Sequence, residues 1–233
     1  MFERSVVSIR RAAFAVALLP LLALVALAGG GGGTIAMPNV ADSMGPLDVP
    51  GVTISNFGVV DGRIFRGEQP TQDEYRQLAA LGVKTVIDLR LDRKPQSKEW
   101  AEAAGLHYIN IPIDDRGEPS DEQAATFLKT VEQCSADGRV YVHCAGGRHR
   151  TGSMIAVYRM TQDGWNIDQA YQEMKNYDFY TRNGHGGFKT YVYDYYQRMT
   201  SNPKSVPVAY CPVDKQAASL AAAAASAQAI PQH

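Results

Sequence analysis

Cysteine is scarce in this chain: Cys134, Cys144 and Cys211 are the only three in 233 residues. Three are too few for a disulfide framework. Length and apolar content instead allow one domain with a full hydrophobic core, plus appendages. Charge of one sign is also lacking, with 23 Lys and Arg against 24 Asp and Glu, a formal net charge of −1. That balance gives no global attraction for nucleic acid or for anionic membranes. Any pull on an anionic ligand must therefore be local. Histidine is limited to five residues with no paired ligand spacing, so no metal site and no cofactor is expected. Internal repeats are missing.

Only one stretch is apolar over a long run. Arg4, Arg10 and Arg11 precede an uncharged segment from Ala12 to Ala28, which ends in Ala26-Leu27-Ala28 and then five glycines. A charged start, an apolar middle and an A-x-A site read as a secretory signal over residues 1–28. The competing reading is an uncleaved membrane anchor, since the run of about 17 residues is at the short limit for a span. Either way the protein is expected to be exported, periplasmic or secreted, with membrane contact only through that segment. In such a compartment Cys134 and Cys211 could pair and leave Cys144 reduced. Alternatively, Cys134 is a small buried hydrophobe on a helix. Residues 29–50, rich in Gly, Pro and small side chains, read as a linker. Residues 213–233, rich in Ala and Gln, read as a disordered or fraying tail.

Residues 51–212 are left as the folded domain. Val59 to Arg66 patterns as a hairpin around Asp61-Gly62. Thr71 and Glu74 form a capping box that opens a helix, which Gly82 stops. Lys84 to Leu89 and His107 to Ile113 are strands, with a helix from about Ser97 to Ala104 between them. Ser120 and Gln123 form a second capping box for a helix to about Ser135. Arg139 to His143 is a strand that runs directly into Cys144, and helices follow over 151–162, 167–177 and 188–200. This alternation predicts an α/β fold: a central, mostly parallel sheet of four to five strands flanked by helices. Ligands of such sheets bind beyond the carboxyl ends of the strands, and Cys144 sits at one.

The stretch from His143 to Gly152, HCAGGRHRTG, concentrates the chemistry. The backbone N–H groups from Ala145 to Arg150 can turn inward together at the positive end of the following helix. Gly146 and Gly147 let the chain curl tightly. A nest of this kind holds a tetrahedral oxyanion. Arg150 adds a planar fork for two of its oxygens. The same cage favours the Cys144 thiolate, the attacking form. His143 is placed to fix the loop, and the Thr151 hydroxyl to donate to the sulfur. Arg148 and His149 are expected to point outward, toward whatever carries the phosphate. Asp88-Leu89-Arg90 and Asp92-Arg93 read as a solvated salt-bridge cluster or as the pocket edge. His185, among glycines, reads as a flexible contact loop.

Cys144-x5-Arg150 followed by Thr151-Gly152 resembles the signature of the cysteine-dependent phosphatases. From Ile54 to Tyr180 the chain resembles an atypical dual-specificity phosphatase of the plant-and-fungal group and its bacterial relatives. Asn56-Phe57, Ile64-Phe65-Arg66 and Pro70 match that group's entry strand. Its Gly-Lys-His-Arg-Thr-Gly appears here with Arg148 in place of lysine. The resemblance implies a metal-free, two-step hydrolysis through phosphocysteine. It also implies an aspartate general acid in the loop after Ile113. Asp115 fits the family's Pro-x-x-Asp spacing best, with Asp114 and then Glu118 as alternatives. The Trp-Pro-Asp form of the acid loop is missing, and so is a phosphotyrosine-clamping loop. The implied substrates are phosphotyrosine or dual-specificity protein substrates, with inositol polyphosphates as the alternative. A non-catalytic phosphate-binding module is the competing class. Sulfur transfer of the rhodanese type is disfavoured by the Arg-Thr-Gly ending.

Overall fold

The computed structural model describes residues 44–202. Residues 1–28, expected to be an export signal, residues 29–43 of the expected linker, the tail, and Cys211 with its expected pairing to Cys134 lie outside the described residues. The chain enters through β1 (Gly58–Asp61) and β2 (Ile64–Gly67), followed by α1 (Gln72–Ala80), β3 (Val83–Arg90) and α2 (Pro95–Ala103). Then come β4 (His107–Ile113), α3 (Asp121–Asp137), β5 (Arg139–His143), α4 (Arg150–Gln162), α5 (Ile167–Asn176) and α6 (Gly186–Ser201).

The strands form one five-stranded sheet in the order β1-β2-β5-β3-β4. Only the β1–β2 pair is antiparallel. This is the expected α/β architecture. The last strand in sequence is the middle strand in space, so its carboxyl end opens at the centre of the sheet edge.

Local signals account for many boundaries. Asp61 Oδ1 accepts from the amides of Arg63 and Ile64 at 2.7 and 2.9 Å, closing the hairpin turn. Thr71 with Glu74 and Ser120 with Gln123 both form the expected reciprocal caps. Asn166 with Gln169 forms a third, which the sequence reading passed over. Such a cap is worth about 1 kcal/mol to its helix. Gly82 takes φ +79°, a left-handed value that ends α1.

Strand alternation divides the core between the two faces. Val140, Val142 and Cys144 point to the face covered by α3, α4, α5 and α6. Tyr141 points to the face covered by α1 and α2, and the His143 ring stacks beside it, 5.8 Å between centroids. Helix α4 is buried along its whole length from Arg150 to Met160, as expected of a helix enclosed by the sheet and two other helices.

One boundary needs correcting. Residues 44–50, which by composition read as linker, pack on the domain. Val49 is buried in the α1–α2 core. Leu47 N donates to Phe57 O at 2.8 Å. Asn176 Nδ2 donates to Met44 O and the Tyr177 hydroxyl to Gly45 O, at 2.7 and 2.9 Å. Asn176 and Tyr177 lie about 130 residues further along the chain, out of reach of a compositional reading.

Candidate active site

The centre of the site is the loop 144–149 between β5 and α4. Four successive carbonyls of this loop are tied away from its concave side. Cys144 O accepts from His143 Nδ1 at 2.9 Å. Ala145 O accepts from Gln69 N at 3.0 Å. Gly146 O accepts from Asn56 Nδ2 at 3.1 Å. Gly147 O accepts from Arg66 Nη2 at 3.0 Å. With the carbonyls anchored behind, the amides are free to face the cavity, as an anion-binding nest requires. The two glycines are not equivalent. Gly147 has φ +68°, and a Cβ there would land on the Gly67 carbonyl. A Cβ on Gly146 would meet nothing nearer than 3.7 Å.

Cys144 is buried at the rim of the α3–α6 core, 3% exposed. Burial pushes its thiol pKa up. The Arg150 guanidinium, the Thr151 hydroxyl and amide, and the Gly147 amide outweigh that and hold it below the ordinary thiol value. The Thr151 hydroxyl is buried and makes no hydrogen bond among the described residues, and it is one of the groups that lower the thiol pKa. Arg150 is also buried, 5% exposed. Its Nη1 lies 3.1 Å from Asp92 Oδ1 and 3.4 Å from Ile113 O.

Among the described residues, no cluster of His, Cys, Asp or Glu could hold a metal ion. A buried thiol of lowered pKa, a loop of backbone amides and a guanidinium at the end of the central strand can hold a tetrahedral dianion against a nucleophile.

A family model described as DSP-PTPase phosphatase fused to NAD+ Kinase matches residues 53–186, more than half of the chain. The chain belongs to the DSP-PTPase phosphatase family. Dual specificity protein phosphatase TpbA of Pseudomonas aeruginosa is 29% identical over 126 residues, 54% of this chain and 51% of that protein. Inositol diphosphatase DSP4 of Arabidopsis thaliana is 28% identical over 137 residues, 57% of this chain and 67% of that protein. The chain spans about half the length of the TpbA proteins it matches. The crystal structure of P. aeruginosa TpbA superposes with TM-score 0.55 at 23% identity, covering 64% of this chain and 88% of that one. The catalytic core of the PP-IP phosphatase Siw14 from S. cerevisiae superposes with TM-score 0.54 at 21% identity, covering 68% and 99%. At those identities the likeness is one of fold.

Around the family loop, several residues differ from expectation. His149 does not point outward. It is 9% exposed, its Nε2 lies 3.1 Å from Tyr180 O, and its ring stacks on His185 at 3.8 Å between centroids and 16°. Burial and the His185 ring lower its pKa to about 4, so it is neutral at pH 7. A side-chain contact from His149 to the phosphate therefore does not fit its orientation, whereas its backbone N–H belongs to the loop. Arg148 does stand at the rim, with Nη2 3.8 Å from Asp178 Oδ2.

His143 is buried and its pKa is lowered chiefly by that burial, against the pull of Asp88. Its Nδ1 faces a carbonyl and therefore carries the proton. Asp88 and Arg90 are not a solvated cluster either. They are 0% and 2% exposed, and Asp88 accepts from Arg90 Nε, Arg90 Nη2 and the Tyr108 hydroxyl at 2.9, 2.6 and 2.5 Å. Arg90 also bonds the Gln69 side chain, so the network braces the residue whose amide holds Ala145 O. Asp92, from the same stretch, is the residue that reaches Arg150.

The two acid candidates are distinguishable. Asp114 Oδ1 accepts from the amides of Arg116 and Gly117 at 2.8 and 3.2 Å, and these bonds lower its pKa. Asp115 is 55% exposed, 4.0 Å from Arg116 Nε, and caps nothing. Asn56 and Arg66 were noted in the sequence only as points of resemblance. A usable signal existed for Arg66, a cation inside an otherwise apolar strand.

Proposed function

We propose that this chain is an exported phosphomonoester hydrolase that works through a phosphocysteine intermediate. The carrying observation is a Cys144 thiol of lowered pKa inside a loop four of whose carbonyls, Cys144 to Gly147, are engaged behind it. The Cys144 thiolate attacks phosphorus, and the phosphorus bond to the leaving oxygen breaks. Asp115 gives its proton to that oxygen. Water then attacks phosphorus while the Asp115 carboxylate takes one of its protons. The phosphorus–sulfur bond breaks, and Cys144 leaves as a thiolate. Arg150 and the loop amides stabilise the equatorial oxygens through both steps. Asp115 is favoured over Asp114 because Asp114 is committed to its turn as a carboxylate.

The substrate reading is phosphotyrosine or dual-specificity protein substrates, supported by the relative named as a dual specificity protein phosphatase. Inositol polyphosphates are the second reading, supported by the relative named as an inositol diphosphatase and by Arg148 at the rim. Export rests on the charged start, apolar run and A-x-A site of residues 1–28. No helix among the described residues is long and apolar enough to cross a membrane.

The test is phosphate release from a panel of phosphopeptides and inositol phosphates by wild type and Cys144→Ser, with and without reductant. Wild-type turnover that the serine variant loses is expected. Unchanged turnover in that variant overturns the mechanism. A reduced wild type that binds phosphate but releases none favours a binding module.

A further inference from the structure

Arg66 is fully buried, 0% exposed, in the second strand of the sheet. A cation there is expensive unless its surroundings compensate it. Its Nη1 stands 3.7 Å from Glu173 Oε2. That carboxylate, however, is already held by Arg159 Nε and Nη2 at 3.1 and 2.8 Å. The Tyr177 ring lies 3.7 Å beneath the Arg66 guanidinium, a cation–π contact in a desolvated setting. Nε and Nη1 make no hydrogen bond. One well-formed hydrogen bond remains, from Nη2 to Gly147 O. A core side chain of similar volume would fill the space at lower cost, so the charge is explained by what it does for the loop.

Resting on the phosphatase reading above, we propose that Arg66 is a positioning residue: it clamps the Gly147 carbonyl outward, turns the following amides onto the ligand, and places a buried positive charge behind Cys144. Asn56 is its companion. Held at φ +57°, it donates through Nδ2 to Gly146 O and to Tyr177 O at 3.1 and 3.2 Å. It thereby joins the loop to the ring under Arg66. The interaction between Arg66 and Cys144 is favourable in charge. The groups that act most strongly on the thiol are Arg150 from α4 and the Gly147 and Thr151 donors, and Arg66 from β2 adds a smaller charge attraction. Neutral Tyr141 and His143 of β5 are close by.

The test uses the full chain, reduced, with three variants: Arg66→Met, Arg66→Lys and Glu173→Gln. Two readouts need no turnover: the pH midpoint of Cys144 alkylation by iodoacetamide, and calorimetric affinity for inorganic phosphate. Thermal melting runs in parallel. Arg66→Met should raise the alkylation midpoint by about one unit, a tenfold loss of thiolate on the acid side. It should weaken phosphate about tenfold or more. Arg66→Lys should recover most of the midpoint, whereas a merely structural arginine would not be rescued by charge. Glu173→Gln should lower the midpoint, because it removes the anion that offsets Arg66.

A folded Arg66→Met with the wild-type midpoint overturns the proposal, as does a midpoint equal in the Met and Lys variants. If Arg66→Met does not fold, Glu173→Gln decides, and a midpoint that stays or rises refutes the idea. A wild type that turns over substrate beside an unshifted Arg66→Met midpoint sinks only this inference. A wild type without turnover, but with a midpoint that Arg66→Met shifts, sinks only the catalytic reading.

Discussion

Asp92 Oδ1 lies 3.1 Å from Nη1 of Arg150, the guanidinium that faces Cys144. The pair is lopsided: the Asp92 side chain is 71% exposed and that of Arg150 only 6%. An arriving phosphate dianion needs the same guanidinium edge, so Asp92 must yield it. With the Asp92 carboxylate this exposed, solvent screening keeps the pair to about 1 kcal/mol, which sets the scale of the gain on removing it. Asp92→Asn should therefore bind inorganic phosphate about two- to fivefold more tightly at low salt, with the advantage shrinking as salt rises. Weaker binding in that variant would mean that Asp92 orients Arg150 rather than competes for it.

The acid loop predicts an asymmetry between neighbours. Asp115→Asn removes a proton donor and should cost about 10²- to 10⁴-fold in kcat on substrates with poor leaving groups. The loss should nearly vanish on an aryl phosphate whose phenol leaves without help. Asp114→Asn instead weakens the turn that caps Arg116 and Gly117. Its effect should be smaller and independent of the leaving group. Kinetics on a phosphoserine peptide and on an activated aryl phosphate separate the two, and a leaving-group dependence that follows Asp114 would exchange their roles.

The parts of this site that a sequence displays are those made by neighbours in the chain. The Cys144-to-Arg150 spacing, the strand before it and the helix after it are local, and so are the capping boxes at Thr71 and Ser120. The parts that stay hidden depend on segments that meet only after folding. His149 turns inward because Tyr180 and His185 form a slot more than 30 residues further on. Asp88 and Arg90 look like surface charges until β4 brings Tyr108 to them and β5 brings His143. Asn56 and Gln69 carry no local sign that they would grip loop carbonyls. Their partners lie 76 to 90 positions away in the chain, a pairing set by β2 lying alongside β5.

The buried His149 ring leads to a pH prediction. Its pKa is about 4 in the folded chain, against 6.5 for a free imidazole. Between those values the unfolded chain binds more protons than the folded one. Stability therefore rises with pH across the window. This contribution is complete above about 6.5 and is lost as pH falls toward 4. His185, Arg148 and Arg150 act on the ring through charge and oppose its protonation, while the Tyr180 carbonyl favours it. Melting temperature measured from pH 7 to 4 should fall more steeply in wild type than in His149→Phe. Parallel curves would show that the imidazole is already free to titrate in the native state.

The two loop glycines differ sharply in steric room. Gly147 has φ +68°, and a Cβ there would fall 2.4 Å from the Gly67 carbonyl oxygen. Alanine there meets both a left-handed backbone penalty of about 1–2 kcal/mol and a collision with the end of β2. The collision can be relieved only by moving the carbonyl that Arg66 holds. Gly147→Ala should therefore melt several degrees lower and lose inorganic phosphate binding by about tenfold or more. Gly146→Ala adds a methyl whose nearest neighbour is the flexible Arg148 side chain at 3.7 Å, and it should keep both properties nearly unchanged. Calorimetry of the two variants side by side measures the contrast. Equal losses in both would mean that the loop needs general pliancy rather than one left-handed residue pressed against the β2 backbone.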